Sequence, residues 1–165
     1  MIRLLTPDSI AERVEDISLD ALADSGTLGI ALDLDNTIVP WHTTDLSTAK
    51  RAWVAQALER GFRVCVVTNS YAGYALQVAR ELGVPLVAGA LKPVPLAFER
   101  ALKAMTLPAA SCVVIGDQLF TDVFGGKLLG MRAILVKPIG GREFFTTRFM
   151  RMMERPLLAR MRQTS

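Results

Sequence analysis

The chain contains several short, continuous runs of Val, Ile and Leu, and helical segments separate each run from the next. The runs predict strands that are buried on both faces, at 29–34, 62–67, 85–87, 112–115 and 133–136. Apolar residues at helical spacing predict helices over 48–60, 73–82, 94–105 and 122–129. Buried strands that alternate with helices are typical of a parallel sheet covered on both sides. The sequence therefore predicts a three-layer, Rossmann-like α/β fold with a central parallel sheet.

Length and composition fit one globular domain over residues 1–165. The 165 residues are enough to bury a full hydrophobic core, and 51% of them are hydrophobic while 21% are charged. No repeat or long linker divides the sequence.

Composition also predicts a cytoplasmic protein. Charge or proline interrupts every apolar run well before the roughly 18 residues that a membrane-spanning helix needs. The N-terminal sequence MIRLLTPDSIAERVED turns acidic early and has no apolar signal-peptide core. Cys65 and Cys112 each lie in an apolar run, so we expect two buried, reduced thiols rather than a disulfide.

Polar motifs follow three of the predicted strands: DLDNT, TNS and GDQLFTD. The carboxyl ends of parallel strands meet at one edge of the sheet, where ligands bind. In an extended strand Asp33 and Asp35 would point to the same side, and their repulsion would favour a bound cation such as Mg²⁺. Asp117 ends another strand and could complete the site. The alternative is that Asp33 and Asp35 only cap a loop.

Phosphate ligands are predicted at the two segments between these motifs. The hydroxyl of Thr68, at the start of a helix, is suited to a phosphate oxygen, although Thr68, Asn69 or Ser70 could equally cap that helix. Lys92 could neutralise charge on a transferring phosphoryl group, or it could be an ordinary surface lysine. Asp122 could fix the loop after Asp117 or cap the following helix.

Taken in order, DLDNT, Thr68, Lys92 and GDQLFTD resemble the motifs of the haloacid dehalogenase (HAD) superfamily of aspartyl-phosphate phosphotransferases. The resemblance implies a Mg²⁺-dependent phosphomonoester hydrolase with Asp33 as nucleophile and Asp35 as general acid/base. It implies further site residues, with phosphate bound by Thr68, Asn69 and Lys92, Mg²⁺ held by Asp33, the Leu34 carbonyl, Asp35 and Asp117, and Asp122 in support.

Many HAD proteins insert a cap domain over the site, and this chain has no room for one. The segment 36–47 is too short for a folded cap, and 68–92 is already used by one helix and one short strand. The sequence therefore predicts an uncapped, open site. Such a site suits a phosphate carried on something large, such as a lipid headgroup, a protein or a nucleic-acid end.

The segment 142–165 is strongly basic, with six arginines and only two acids, Glu143 and Glu154. Phe145, Phe149 and Met152 share one helical face, and arginines share an adjacent face. This pattern is typical of an amphipathic helix at a membrane surface, but apolar stripes also pack on a protein's own core. Both interpretations stay open.

More narrowly, the chain resembles the uncapped class IIIA branch and the YqeG-like bacterial proteins, which are related to phosphatidylglycerophosphate phosphatases. The matching features are DLDNT followed closely by Trp41, ALKP, GDQLFTDVFGG and FFTTRFMRMMER. This resemblance implies dephosphorylation of phosphatidylglycerophosphate to phosphatidylglycerol, with peripheral contact at the inner face of the membrane.

One alternative function is that of a phosphatase for soluble nucleotides, sugar phosphates or phosphoproteins. A different class is a nucleic-acid or ribosome-associated binding protein that uses the basic tail, although no nucleic acid is expected as partner.

Overall fold

The computed structural model describes residues 2–71 and 73–140. Within these residues six strands form one sheet: β1 (Ser9–Ala11), β2 (Gly29–Leu32), β3 (Arg63–Val67), β4 (Leu86–Val87), β5 (Cys112–Gly116) and β6 (Arg132–Val136). All neighbouring strands are parallel, in the order β1-β6-β5-β2-β3-β4. The predicted parallel sheet is confirmed.

The described helices are α1 (Ile2–Leu5), α2 (Leu19–Asp24), α3 (Thr48–Glu59), α4 (Gly73–Leu82), α5 (Pro95–Met105) and α6 (Phe124–Leu128). Short 3-10 turns occupy Val14–Asp16 and Ala109–Ser111. The helices α3, α4 and α5 lie where the apolar spacing predicts them. Gly61 and Gly83 follow α3 and α4 with φ of 87° and 69°, a left-handed conformation that glycine adopts without strain and that ends a helix.

Two predicted bounds differ from the structure by two residues, and several others differ by one. Strand β2 ends at Leu32 rather than at Leu34, because the Leu34 carbonyl accepts the amides of Ile38 and Val39 and so turns the chain. The helix predicted to begin at Asp122 is preceded by a π-helical turn over Leu119–Val123, which runs directly into α6.

Helices cover both faces of the sheet, as the three-layer prediction requires. On one face α2, α3 and α4 contribute to an apolar cluster that includes Trp53, whose indole N–H donates to the Ile17 carbonyl at 2.8 Å. On the other face α5 packs through Phe98 and Met105. Cys65 and Cys112 are buried and free, which confirms the prediction of reduced core thiols.

The order in which strands are added to the sheet changes side between β2 and β5. From β2 the chain moves outward through β3 to β4, whereas β5 and β6 lie on the other side of β2. The carboxyl ends of β2 and β5 therefore flank a crevice of the kind in which open α/β sheets bind ligands.

None of the helices in the described residues is long and apolar enough to span a membrane. The basic segment 142–165 lies outside the described residues, so its predicted amphipathic face stays a prediction.

Candidate active site

The predicted site residues converge at the carboxyl edge of the sheet. Asp33 directly follows β2, Thr68 follows β3, Asp117 follows β5, and Lys92 lies between β4 and α5. All four are buried, with at most 7% of their surface exposed. The sheet topology thus brings together residues that are widely separated in sequence.

Lys92 lies between two buried carboxylates. Its Nζ is 2.5 Å from Asp33 Oδ1 and 2.6 Å from Asp122 Oδ1. Burial alone would lower the pKa of Lys92, but the charges of Asp122 and Asp33 outweigh it and raise that pKa above its ordinary value. The lysine is therefore a permanent positive charge inside the site, and the alternative of an ordinary surface lysine was wrong.

Asp33 is held on both carboxylate oxygens. Oδ1 contacts Lys92, and Oδ2 accepts a hydrogen bond of 2.9 Å from the hydroxyl of Thr37. Burial raises the pKa of Asp33 to about 6, although Lys92 and Thr37 act in the opposite direction. The carboxylate is thus mostly ionised at neutral pH and fixed in one orientation.

Asp117 completes a group of three carboxylates with Asp33 and Asp122. One oxygen from each of the three lies within 4.8 Å of the others. Asp117 Oδ1 is buried and has no hydrogen-bond partner among the described residues. Burial, together with the negative charges of Asp33 and Asp122, raises the pKa of Asp117 to about 8. Burying an oxygen without a hydrogen-bond partner costs free energy, and a ligand bound at Asp117 Oδ1 would remove that cost.

The donor set fits a hard divalent cation. Three carboxylates and one lysine leave a formal charge of −2 when all are ionised. Oxygen ligands of this kind suit Mg²⁺, which proteins usually hold through carboxylates and water. Asp122, predicted only to support the loop, belongs to this group.

Gly116 explains how Asp122 reaches the group. A Cβ on Gly116 would lie 2.6 Å from Asp122 Cβ, which is closer than real side chains approach. Asp122 is only 1% exposed, and its Oδ2 accepts the backbone N–H of Gln118 at 3.2 Å. Glycine at the end of β5 therefore lets the following turn fold back over the strand, and Gln118 helps to fix the aspartate.

Asp35 lies outside this group of carboxylates and has its own set of donors. The Tyr74 hydroxyl donates to Oδ1 at 2.6 Å, and the backbone N–H of His42 donates to the same oxygen at 3.3 Å. The Thr68 hydroxyl donates to Oδ2 at 3.2 Å. The predicted role of Asp35 as a metal ligand remains a prediction, as does its role as general acid/base.

The three remaining predicted ligands already have partners within the chain. Thr68 Oγ1 accepts the N–H of Ser70 at 3.1 Å. The side chain of Asn69 binds the backbone of Lys92, accepting its N–H at 2.7 Å and donating to its carbonyl at 3.4 Å. The Leu34 carbonyl accepts backbone amides of the next turn. Their assignments to phosphate and metal stay predictions, and Asn69 has the further role of holding Lys92 in place.

Sequence reasoning missed Thr37 and Tyr74, and it left Asn36 without a role. Asn36 adopts a φ of 61°, a left-handed conformation that asparagine tolerates, and its Oδ1 accepts the N–H of Trp41 at 3.2 Å. Thr37 had a signal, as the last residue of DLDNT. No sequence motif points to Tyr74, because the pattern around it indicates only a helix.

The two connections that could carry a cap domain contain little secondary structure. Between β2 and α3 the described residues form only an isolated bridge, Asp35 to Val39, and no helix or strand. The connection from β3 to β4 contains α4 alone. Within the described residues neither connection contains a further domain, and the uncapped, open site stays a prediction.

Comparison with known proteins agrees with this geometry. Residues 90–138 match the family model described as HAD-hydrolase-like. Over 161 residues the chain is 35% identical to the probable phosphatase YqeG of Bacillus subtilis, covering 98% of this chain and 94% of YqeG. A stretch of 49 residues is 39% identical to glyceraldehyde 3-phosphate phosphatase of Pyrococcus abyssi, covering 30% of this chain and 21% of that relative.

A solved structure shows the same fold. The HAD phosphatase from Thermococcus onnurineus has a TM-score of 0.51 at 20% identity, over 61% of this chain and 50% of that one. The identity to YqeG extends over nearly the full length of both chains. The chain therefore belongs to the HAD superfamily, as a phosphatase of the family that includes YqeG.

Proposed function

We propose that this protein hydrolyses phosphate monoesters in two steps, with Asp33 as the nucleophile and Mg²⁺ as the cofactor. The observation that carries the proposal is the buried contact of 2.5 Å between Lys92 and Asp33, set beside two further carboxylates. A nucleophile that is fixed next to a positive charge and a cation site is suited to attack an anionic phosphate.

Two displacements at phosphorus make up the reaction. In the first, an oxygen of Asp33 bonds to phosphorus while the bond from phosphorus to the ester oxygen breaks. In the second, water attacks phosphorus and the bond to Asp33 breaks, which releases inorganic phosphate and restores the carboxylate. The intermediate is an aspartyl phosphate, and each step is easier than direct hydrolysis.

Asp35 would move the protons in both steps. It gives a proton to the departing ester oxygen in the first step and takes one from the attacking water in the second. Asp35 is half-buried, whereas Asp33 is buried, so it can reach both the leaving group and solvent.

Asp33, Asp117 and Asp122 would hold the cation, with the Leu34 carbonyl and Asp35 as further predicted ligands. When bound, the cation offsets negative charge on the phosphoryl oxygens. Lys92 adds a second positive charge beside Asp33, and Thr68 and Asn69 are the predicted neighbours of the phosphate.

Asp33→Asn tests the covalent mechanism. We expect phosphate release to fall by more than about a thousandfold, because an amide cannot replace the nucleophile. Asp45→Asn, on the exposed part of the same loop, is the matched control and should keep wild-type turnover. Acid-quenched protein should contain phosphate bound to aspartate in the wild type only. Wild-type turnover by Asp33→Asn would refute the mechanism.

For the substrate we infer phosphatidylglycerophosphate, hydrolysed from the cytoplasm at the inner face of the membrane. The predicted open site suits a phosphate that is presented on a large body. Trp41 is 63% exposed beside the site, and the basic segment 142–165 suits an anionic surface. Release of phosphate from this lipid in mixed micelles should exceed release from a panel of soluble esters. Equal or faster turnover of soluble esters would exclude the lipid assignment.

A soluble phosphate ester is the second candidate. Its support is the similarity of one stretch to glyceraldehyde 3-phosphate phosphatase, which is named for a small soluble substrate. The same substrate panel separates the two candidates. A nucleic-acid or ribosome-associated binding module is disfavoured, because binding alone does not require the buried group of carboxylates and lysine.

A further inference from the structure

The carboxylate of Asp35 is bound unequally at its two oxygens. Oδ1 accepts two hydrogen bonds, from the Tyr74 hydroxyl at 2.6 Å and from the His42 backbone N–H at 3.3 Å. Oδ2 accepts one, from the Thr68 hydroxyl at 3.2 Å. A carboxylate oxygen offers about two lone-pair positions, so Oδ1 is filled and Oδ2 keeps one position open.

We propose that Tyr74 is a positioning residue that reserves Asp35 Oδ1 as an acceptor, so that Oδ2 is the atom that carries the proton to and from the substrate. This inference rests on the proposed phosphatase function and on Asp35 as its acid/base. A proton on Oδ2 leaves Oδ1 as a carbonyl oxygen, which still accepts both of its hydrogen bonds. A proton on Oδ1 would displace one of them.

Aromatic packing holds Tyr74 in this position. Its ring lies 5.4 Å from the ring of His42, centre to centre, and His42 lies 4.5 Å from Trp41. Tyr74 comes from the first turn of α4, whereas Trp41 and His42 come from the loop after β2. The contact therefore joins the loop that carries Asp35 to a rigid helix.

The backbone of His42 also helps to fix Asp35 Oδ1. Its φ of 59° is in the left-handed region, which costs energy for a residue with a side chain. The N–H of His42 donates to Asp35 Oδ1, and its ring packs at a tilt of 39° against the ring of Tyr74. Two independent donors thus fix the same oxygen.

The Tyr74 hydroxyl stays a donor under working conditions. Burial, and the hydrogen bond to Asp35, raise the pKa of Tyr74 to about 12. In the first step, the proton leaves Oδ2 for the ester oxygen as the bond to phosphorus breaks. Asp35 is then a carboxylate again, and the Tyr74 hydrogen bond has been kept throughout.

The test compares Tyr74→Phe with the wild type on two esters of different leaving-group basicity. An alkyl phosphate needs a proton on its departing oxygen, whereas p-nitrophenyl phosphate leaves as a stable phenolate. We measure kcat/KM, which reports the steps up to the first displacement. Because general acid catalysis contributes about 10²–10⁴-fold, we expect roughly a 10–100-fold loss on the alkyl ester and less than about threefold on the aryl ester.

Tyr71→Phe is the matched control. Its hydroxyl donates to the Gly89 carbonyl rather than to Asp35, and 77% of the residue is exposed. We expect wild-type kcat/KM for this variant on both esters. The ring packing of Tyr74 is kept in Tyr74→Phe, and a thermal melt checks that the variant is folded.

The outcomes separate the inference from the function on which it rests. If the wild type releases phosphate from neither ester nor from lipid, the proposed function is wrong. If the wild type is active and Tyr74→Phe loses the same factor on both esters, or loses nothing, the positioning role is wrong. A loss confined to the alkyl ester is the result that supports it.

Discussion

Lys92→Met should destabilise the metal-free protein strongly, because Lys92 is the positive charge between two buried acids. Asp33 is 6% exposed and Asp122 is 1% exposed. Methionine fills similar space but leaves their charges without the ammonium group. One of the two carboxyls is then expected to take up a proton rather than remain charged.

The free-energy cost of protonating one of these carboxyls sets the size of the destabilisation. An aspartate in the unfolded chain has a pKa of about 3.9, and each unit of pKa corresponds to about 1.36 kcal/mol. Holding one such group protonated at about pH 7 therefore costs at most roughly 4 kcal/mol, and less for Asp33, whose raised pKa of about 6 already carries part of this cost in the wild type. Removing one partner of a buried ion pair typically costs about 3–5 kcal/mol, which is a similar size. The melting temperature should fall by roughly 10 °C in a chain of this size.

Acidity provides a second, sharper check. An acid whose pKa is raised in the folded state binds more protons when folded, so the variant should gain stability relative to the wild type as the pH falls. At about pH 5.5 the same proton costs roughly 2 kcal/mol, so about half of the penalty should disappear.

The measurement is urea or thermal unfolding in EDTA at the two pH values. Lys127→Met is the matched control: its ion pair with Asp8 is also close, at 2.8 Å, but the Asp8 side chain is 43% exposed. That variant should lose no more than about 1 kcal/mol, with little dependence on pH. A penalty for Lys92→Met no larger than that of the control, or one that does not shrink with acid, would refute the reasoning.

The cation site and the end of β5 give further predictions. Mg²⁺ at about ten times its Kd should stabilise the wild type by roughly 1.4 kcal/mol, and Asp117→Asn should remove most of that shift in a thermal melt. An equal shift in the variant would contradict the site. Gly116→Ala should cost about 1–3 kcal/mol, because its Cβ would collide with Asp122, whereas Gly73→Ala, whose Cβ meets nothing within 4 Å, should be close to neutral in urea unfolding.

Much of the fold could be predicted because most of its elements carry a strong local pattern. The strands β2, β3 and β5 are buried almost throughout, so each appears in the sequence as an apolar run. The N-terminal elements were missed because they lack such a pattern. Strand β1 has only three residues, and Ile10 at its centre is 69% exposed. Helix α2 has six residues, too few to show helical spacing clearly.

The site residues could be predicted for a topological reason. Acids that follow buried parallel strands must meet at one edge, whatever the loops between them do. The pairing within the site could not be predicted in this way. Lys92 reaches Asp33 across a separation of 59 residues and Asp122 across 30. Which carboxylates it contacts depends on how the loops return, and the close approach of Gly116 to Asp122 has no sequence motif of its own.

The contacts divide the two chemical tasks of the site between different loops. Charge is balanced by Asp33, Lys92, Asp117 and Asp122, whose loops follow β2, β4 and β5. Asp35, the proposed proton-transfer residue, is instead held from the β3–α4 side, by a hydroxyl at each end of that connection. Loss of Lys92 should therefore change stability and cation binding, while loss of the Tyr74 hydroxyl should change only the dependence on the leaving group. Because the two sets share no side-chain hydrogen bond among the described residues, their effects on the free energy of unfolding should add in a double variant.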